Sequence, residues 1–113
     1  MPLTPPTAIV AVSDTDFDRE VLASPVPTLV DFWASWCGPC HWVAPQLERI
    51  AATDDRVRIA KLNVDENRAT ASRFGVMSIP TLALFVGGVE RTRIVGAADS
   101  GTIMAEVEPH LPQ

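Results

Sequence analysis

The chain has 113 residues, 47% hydrophobic and 20% charged, with fourteen acidic against nine basic residues and a net charge of −5. That is enough for one domain with one ordinary core. The acidic balance speaks against nucleic acid, which needs clustered Lys and Arg, and no apolar run approaches the roughly 20 residues of a membrane span.

Residues 1–6 are rich in proline and read as a flexible arm, with the folded domain in 7–113. Thr7–Val12 is short, apolar and β-branched, as a strand is. Ser13 and Asp16 resemble a capping box, and Phe17 and Val21 then share a helix face up to Pro25 and Pro27. Thr28–Ala34 (TLVDFWA) is apolar on both alternating sides, the pattern of a central strand covered twice. From Cys37 to about Ala52, the residues Cys40, Val43, Leu47 and Ile50 form one buried helical stripe, with a kink expected at Pro45.

Val57–Val64 reads as a second central strand, and Glu66–Phe74 as a short helix ended by Gly75. Thr81–Val86 and Glu90–Val95 form a hairpin around Gly87-Gly88. Ser100 is the expected cap of a last helix running to about Glu108, where Pro109 and Pro112 stop it. The order β-α-β-α-β-α-β-β-α predicts an α/β fold: a central mixed five-stranded sheet flanked by four helices.

The two cysteines, Cys37 and Cys40, lie three apart between a strand and a helix. A bridge that local constrains almost none of the chain, which points to redox chemistry or metal rather than a structural staple. Only a thiolate attacks a disulfide. Cys37 sits at the helix N-terminus, where free N–H groups favour negative charge, while Cys40 lies one turn in on the buried stripe. Cys37 is therefore read as the solvent-open attacker and Cys40 as the resolving thiol. Pro39 fits the first turn, where its missing N–H costs nothing.

The segments VDFWASWCGPC, AKLNVD and SIPT, followed by the Gly-Gly hairpin and VGA, resemble the thioredoxin family in order and over residues 7 to about 108. The resemblance implies a protein-disulfide reductase cycling between a Cys37/Cys40 dithiol and disulfide, a general electron donor for redox homeostasis. It implies no cofactor of the chain's own, with electrons arriving from an NADPH-dependent flavoprotein thioredoxin reductase. Partners would be that reductase and oxidised proteins, with no nucleic acid or membrane, around a monomeric chain. The residues alone leave Asp31 either a satisfied buried carboxylate or a proton acceptor. The resemblance implies an acceptor that helps deprotonate Cys40. Lys61, the only lysine, is either a strand lysine with its tip in water or, as the resemblance implies, a neighbour that tunes Asp31. Pro80 is a plain strand-initial proline by residue type, whereas the family pattern implies a cis proline whose preceding residue pairs with an extended substrate.

The resemblance further implies that Trp36, Gly38, Pro39, Met77, Ser78, Ile79, Pro80, Val95, Gly96 and Ala97 border an apolar docking surface for partners, which would need to be exposed. Trp33 reads equally as a core aromatic. The chain departs from the family at His41, where Lys or Arg is frequent, at Trp42, and at Ser78, where Gly is frequent. These departures bear on partner choice or the thiol pKa and leave the dithiol chemistry intact. Cys37-Gly-Pro-Cys40-His41 also spells a haem-attachment pattern. The strand before the motif leaves little room for a haem, and the later motifs would go unexplained. A zinc site needs four ligands, and Cys37, Cys40 and His41 supply three, so no metal is expected and His41 reads as a surface residue. The N-terminus has no basic start or apolar region, so the reading is cytoplasmic; an exported chain after signal removal would look the same apart from Met1.

Overall fold

Five strands meet in one sheet because the apolar runs of the sequence must be covered on both faces. The computed structural model describes residues 9–112. The expected arm 1–6 and the first two residues of the strand expected at Thr7–Val12 lie outside them. In chain order the elements are β1 (Ile9–Ala11), a π-helical segment (Asp18–Leu22), β2 (Thr28–Trp33), α1 (Gly38–Thr53), β3 (Arg58–Asn63), α2 (Arg68–Arg73), β4 (Thr81–Val86), β5 (Val89–Val95), α3 (Ser100–Val107) and a 3-10 turn (Glu108–His110). The sheet order is β1-β3-β2-β4-β5. β1, β3 and β2 run parallel, β4 runs antiparallel to β2, and β5 antiparallel to β4. The mixed five-stranded sheet and the four helical segments expected from the sequence are all present.

Alternation along the strands builds two cores. Leu29, Ile59, Leu82 and Leu84 pack with Val43, Leu47 and Ile50 of α1 and Ile103 and Val107 of α3. On the opposite face Val30, Phe32, Ala60, Leu62 and Ala83 pack with Phe17, Val21 and Ala71. There Phe17, Phe74 and Phe85 form a triangle of rings with centroids 5.2–5.6 Å apart, a geometry that adds to simple burial. The stripe read on α1 is the buried one, and the helix continues through Pro45.

Several local readings need correction. Only half of the capping box forms: Asp16 accepts the Ser13 N–H at 2.7 Å, while the Ser13 hydroxyl meets Thr15. The helix that follows is a short segment closed by Ala23 N–H to the Asp18 carbonyl. The cap of α3 is Asp99, whose carboxylate accepts the Thr102 N–H at 2.8 Å, and Ser100 is already helical. α2 is shorter than Glu66–Phe74 because the Asn63 side chain takes the Asp65 and Glu66 N–H groups into a turn. β3 likewise spans Arg58–Asn63 rather than Val57–Val64. β5 begins at Val89, not Glu90: both hairpin glycines have positive φ (59° and 82°), so Val86 pairs directly with Val89.

The N-terminus of α2 is capped from far away in sequence. Asp14 accepts from the Thr70 N–H at 2.8 Å and the Thr70 hydroxyl at 2.6 Å, and Asn67 Oδ1 accepts the Asp14 N–H in return. The other end closes as expected. Gly75, at φ 64°, lets its own N–H reach the Ser72 carbonyl and the Val76 N–H reach that of Ala71, the pairing of a Schellman turn.

Candidate active site

β2 and β3 end beside each other and hand the chain to the site. After Trp33, the buried Ala34 turns the backbone, and the Cys37 N–H returns to the Ala34 carbonyl at 3.1 Å. Cys37 is the extended N-cap of α1, and its Sγ accepts the Cys40 N–H at 3.2 Å. Cys37 and Cys40 are joined as a disulfide with Cα atoms 5.3 Å apart.

One expectation fails here. Cys37 is not open to solvent in this state: it is 4% exposed, against 3% for Cys40. Both sulfurs sit in a small apolar cluster with Ala34, Trp33, Val64 and Ile79. The cause is the loop that leads into β4, which brings the Ile79 carbonyl oxygen to 3.8 Å from Cys37 Sγ. The flanking Trp36, Gly38 and Pro39 are exposed.

The Ile79–Pro80 peptide is cis, and Pro80 is buried at the start of β4. Trp36, Met77, Ser78 and Ile79 line a groove of about 370 Å³, together with Val64 and Val76. The sequence reading had not assigned the last two to the site. Trp36 and Met77 are 69% and 94% exposed, an unusual display of apolar surface. Trp36 is held by its indole N–H, which donates to Asp65 at 2.8 Å. Asp65 lay within a quoted motif, but its bond to Trp36 was not legible there. Val95, Gly96 and Ala97 do not line the groove. They run beside it, tied in by the Gly96 N–H to the Pro80 carbonyl at 2.8 Å.

Asp31 stands on the same sheet face as Leu29, the face covered by α1 and Cys40. It is fully buried, and neither carboxylate oxygen has a hydrogen-bond partner among the described residues. Burial pushes its pKa up to about 6, and the charge of Lys61 pulls the other way. Lys61 is Asp31's register partner on β3. Its ammonium lies over the Trp33 ring, 4.6 Å from the centroid, a favourable cation–π position. The ring of His41 packs edge-on to the same Trp33.

A bridge closing so few residues contributes little to stability. What it can do is exchange with thiols, cycling to a dithiol that passes two electrons to another disulfide, and the class so defined is a thiol-disulfide oxidoreductase. A family model described as Thioredoxin matches residues 8–109. "Thioredoxin 1" of Nostoc sp. is 46% identical over 106 residues, which are 93% of this chain and 99% of that one. The thioredoxin of Mycolicibacterium smegmatis is 50% identical over 108 residues, 93% and 96% of the two. Among solved structures, a mutant thioredoxin from Halobacterium salinarum superposes with a TM-score of 0.87 at 34% identity, covering 99% of this chain and 98% of that one. The chain belongs to the thioredoxin family.

Proposed function

We propose that this protein is a general reductant of disulfides in other proteins, with Cys37 as nucleophile and Cys40 as resolving thiol. The observation that carries the reading is the disulfide at the start of α1, with the Cys37 sulfur accepting a backbone N–H. That hydrogen bond favours a thiolate on Cys37 once the pair is reduced. The Cys37 thiolate attacks one sulfur of a partner disulfide, and the other partner sulfur leaves as a thiolate. Cys40, deprotonated, then attacks Cys37 Sγ, which breaks the mixed disulfide and frees the second partner sulfur. Two electrons pass to the partner, and the chain is left as the Cys37–Cys40 disulfide.

Asp31 serves as the proton acceptor for Cys40. A buried carboxylate with no hydrogen-bond partner among the described residues and with its pKa near 6 suits that task at neutral pH. Lys61 keeps that acidity within range by opposing the effect of burial. The exposed apolar groove beside Ile79 receives an extended partner segment, with Ile79 offering its backbone. The chain works without a cofactor of its own, recharged by an NADPH-dependent flavoprotein reductase. The cytoplasm suits this role, because thiols stay reduced there. Among the described residues no helix is long and apolar enough to cross a membrane.

The test is turnover of a protein disulfide substrate with NADPH, each of a panel of flavoprotein thioredoxin reductases and catalytic amounts of this protein. NADPH oxidation that requires both this chain and the disulfide substrate is expected. No turnover with any reductase, and none with the chemically reduced chain in stoichiometric amount, would defeat the reading.

A further inference from the structure

His41 follows Cys40 directly and is exposed on the first turn of α1. The sequence alone reads it as a surface residue. Yet its ring is held twice. Nε2 lies 2.7 Å from the Ser35 carbonyl oxygen, and the ring packs edge-on to Trp33 with centroids 6.3 Å apart at 77°. A carbonyl can only accept, so Nε2 carries the hydrogen and donates. No backbone N–H takes the Ser35 carbonyl among the described residues.

The bond reaches across both cysteines. Ser35 precedes the Cys37 loop and His41 follows Cys40, so the contact ties the loop to the helix from outside the disulfide ring. On the loop's other flank, Trp36 donates to Asp65. These two hydrogen bonds hold the consecutive residues Ser35 and Trp36, just before Cys37.

We propose that His41 is a positioning residue for the redox pair, holding the Cys37 loop against α1 when the disulfide is open. The inference rests on the reading of Cys37 and Cys40 as a redox couple. In the oxidised chain the S–S bond already joins loop and helix, so the His41 bond forms there with little further loss of freedom. In the dithiol that covalent tie is gone. Removing the His41 donor therefore costs the disulfide more free energy than the dithiol, where part of the bond's value is spent on ordering the loop. The effective concentration of the Cys40 sulfur at Cys37 falls, as it does for any less preorganised ring closure.

The experiment equilibrates the protein with dithiothreitol. The protein dithiol and cyclic dithiothreitol disulfide give the protein disulfide and dithiothreitol dithiol, with two electrons and two protons passing to dithiothreitol. His41→Phe keeps a flat ring beside Trp33 without a donor. His41→Gln carries an N–H near the imidazole Nε2 position, whereas the side chain of His41→Asn stops short. The constant for forming the protein disulfide should fall about threefold to tenfold in His41→Phe and His41→Asn, the range of one net hydrogen bond, and stay within about twofold of wild type in His41→Gln. Unchanged constants in His41→Phe and His41→Asn overturn the proposal, as does a His41→Gln value as low as that of His41→Phe. A merely structural histidine would lower the unfolding midpoint of the oxidised variants without moving the redox constant, which overturns it too. A wild type that never exchanges with dithiothreitol would instead refute the redox reading beneath it.

Discussion

Replacing Asp31 by Asn tests whether the buried carboxyl is held under tension. The substitution keeps the shape and removes the charge. The folded-state pKa is raised from 3.8 to about 6, so between these values the native chain still holds a proton that the unfolded chain has lost. Wild-type stability therefore falls as pH rises through that window and levels off above it. A shift from 3.8 to about 6, at 1.36 kcal/mol per unit, amounts to on the order of 3 kcal/mol at the plateau. Neither oxygen has a hydrogen-bond partner among the described residues, so the amide forfeits no contact that the acid had. Lys61, half-buried, can extend its ammonium to water once its counter-charge is gone. Guanidinium unfolding of the two oxidised proteins at about pH 4 and about pH 8 measures the difference. Near-equal stability is expected at the lower pH, with Asp31→Asn ahead by about 3 kcal/mol at the higher. A gap that stays constant within about 0.5 kcal/mol across the range would refute the argument, because additive effects of an uncharged contact carry no such pH dependence.

Cys40→Ser should accumulate mixed disulfides through Cys37 that dithiothreitol releases, while Cys37→Ser should trap none; gel mobility under non-reducing conditions reads this, and the opposite pattern would reverse the two roles. Met77→Glu puts a charge on a groove wall that is 94% exposed. It should raise KM for a protein substrate severalfold while leaving the reaction with a small aromatic disulfide unchanged, as stopped-flow kinetics can show. Asp14→Ala removes the distant cap of α2 and should lower the unfolding midpoint at neutral pH without changing the denaturant slope. The Asp14 carboxyl is held below its ordinary range by the Thr70 hydroxyl. Wild type therefore loses this advantage as pH drops through the folded-state pKa, and the two proteins should converge in acid.

The strands and their succession along the chain were legible because each strand advertises itself, whereas their order across the sheet was not read. TLVDFW and TLALFV are apolar on both faces, and both became inner strands flanked on each side. Gly75 and Gly87-Gly88 marked a helix end and a hairpin for the same reason: only glycine takes positive φ without strain. The misread caps show where local signals run out. Ser100 and Asp99 are both good caps, and their ranking depended on which N–H pointed at which side chain. Cys37 seemed open because it lies in a loop at the N-terminus of a helix. What buries it is Ile79, forty-two residues away. Trp36–Asp65 and His41–Ser35 were hidden in the same way: single-residue patterns carry no signal for a partner brought by the fold.

The borrowed cap of α2 makes that helix a dependent element. Six residues are too few to sustain helical turns on their own in water, and the carboxylate that satisfies the first turn lies fifty-six residues earlier in the chain. α2 can therefore settle only after β1 has aligned beside β3 and carried the Asp14 loop across the sheet. The far end of α2 leads through its glycine turn into Val76 and Met77, a wall of the groove. Trimming the chain before Asp14 would thus do more than fray a terminus. It would release a short helix, and with it the surface against which a partner chain is laid.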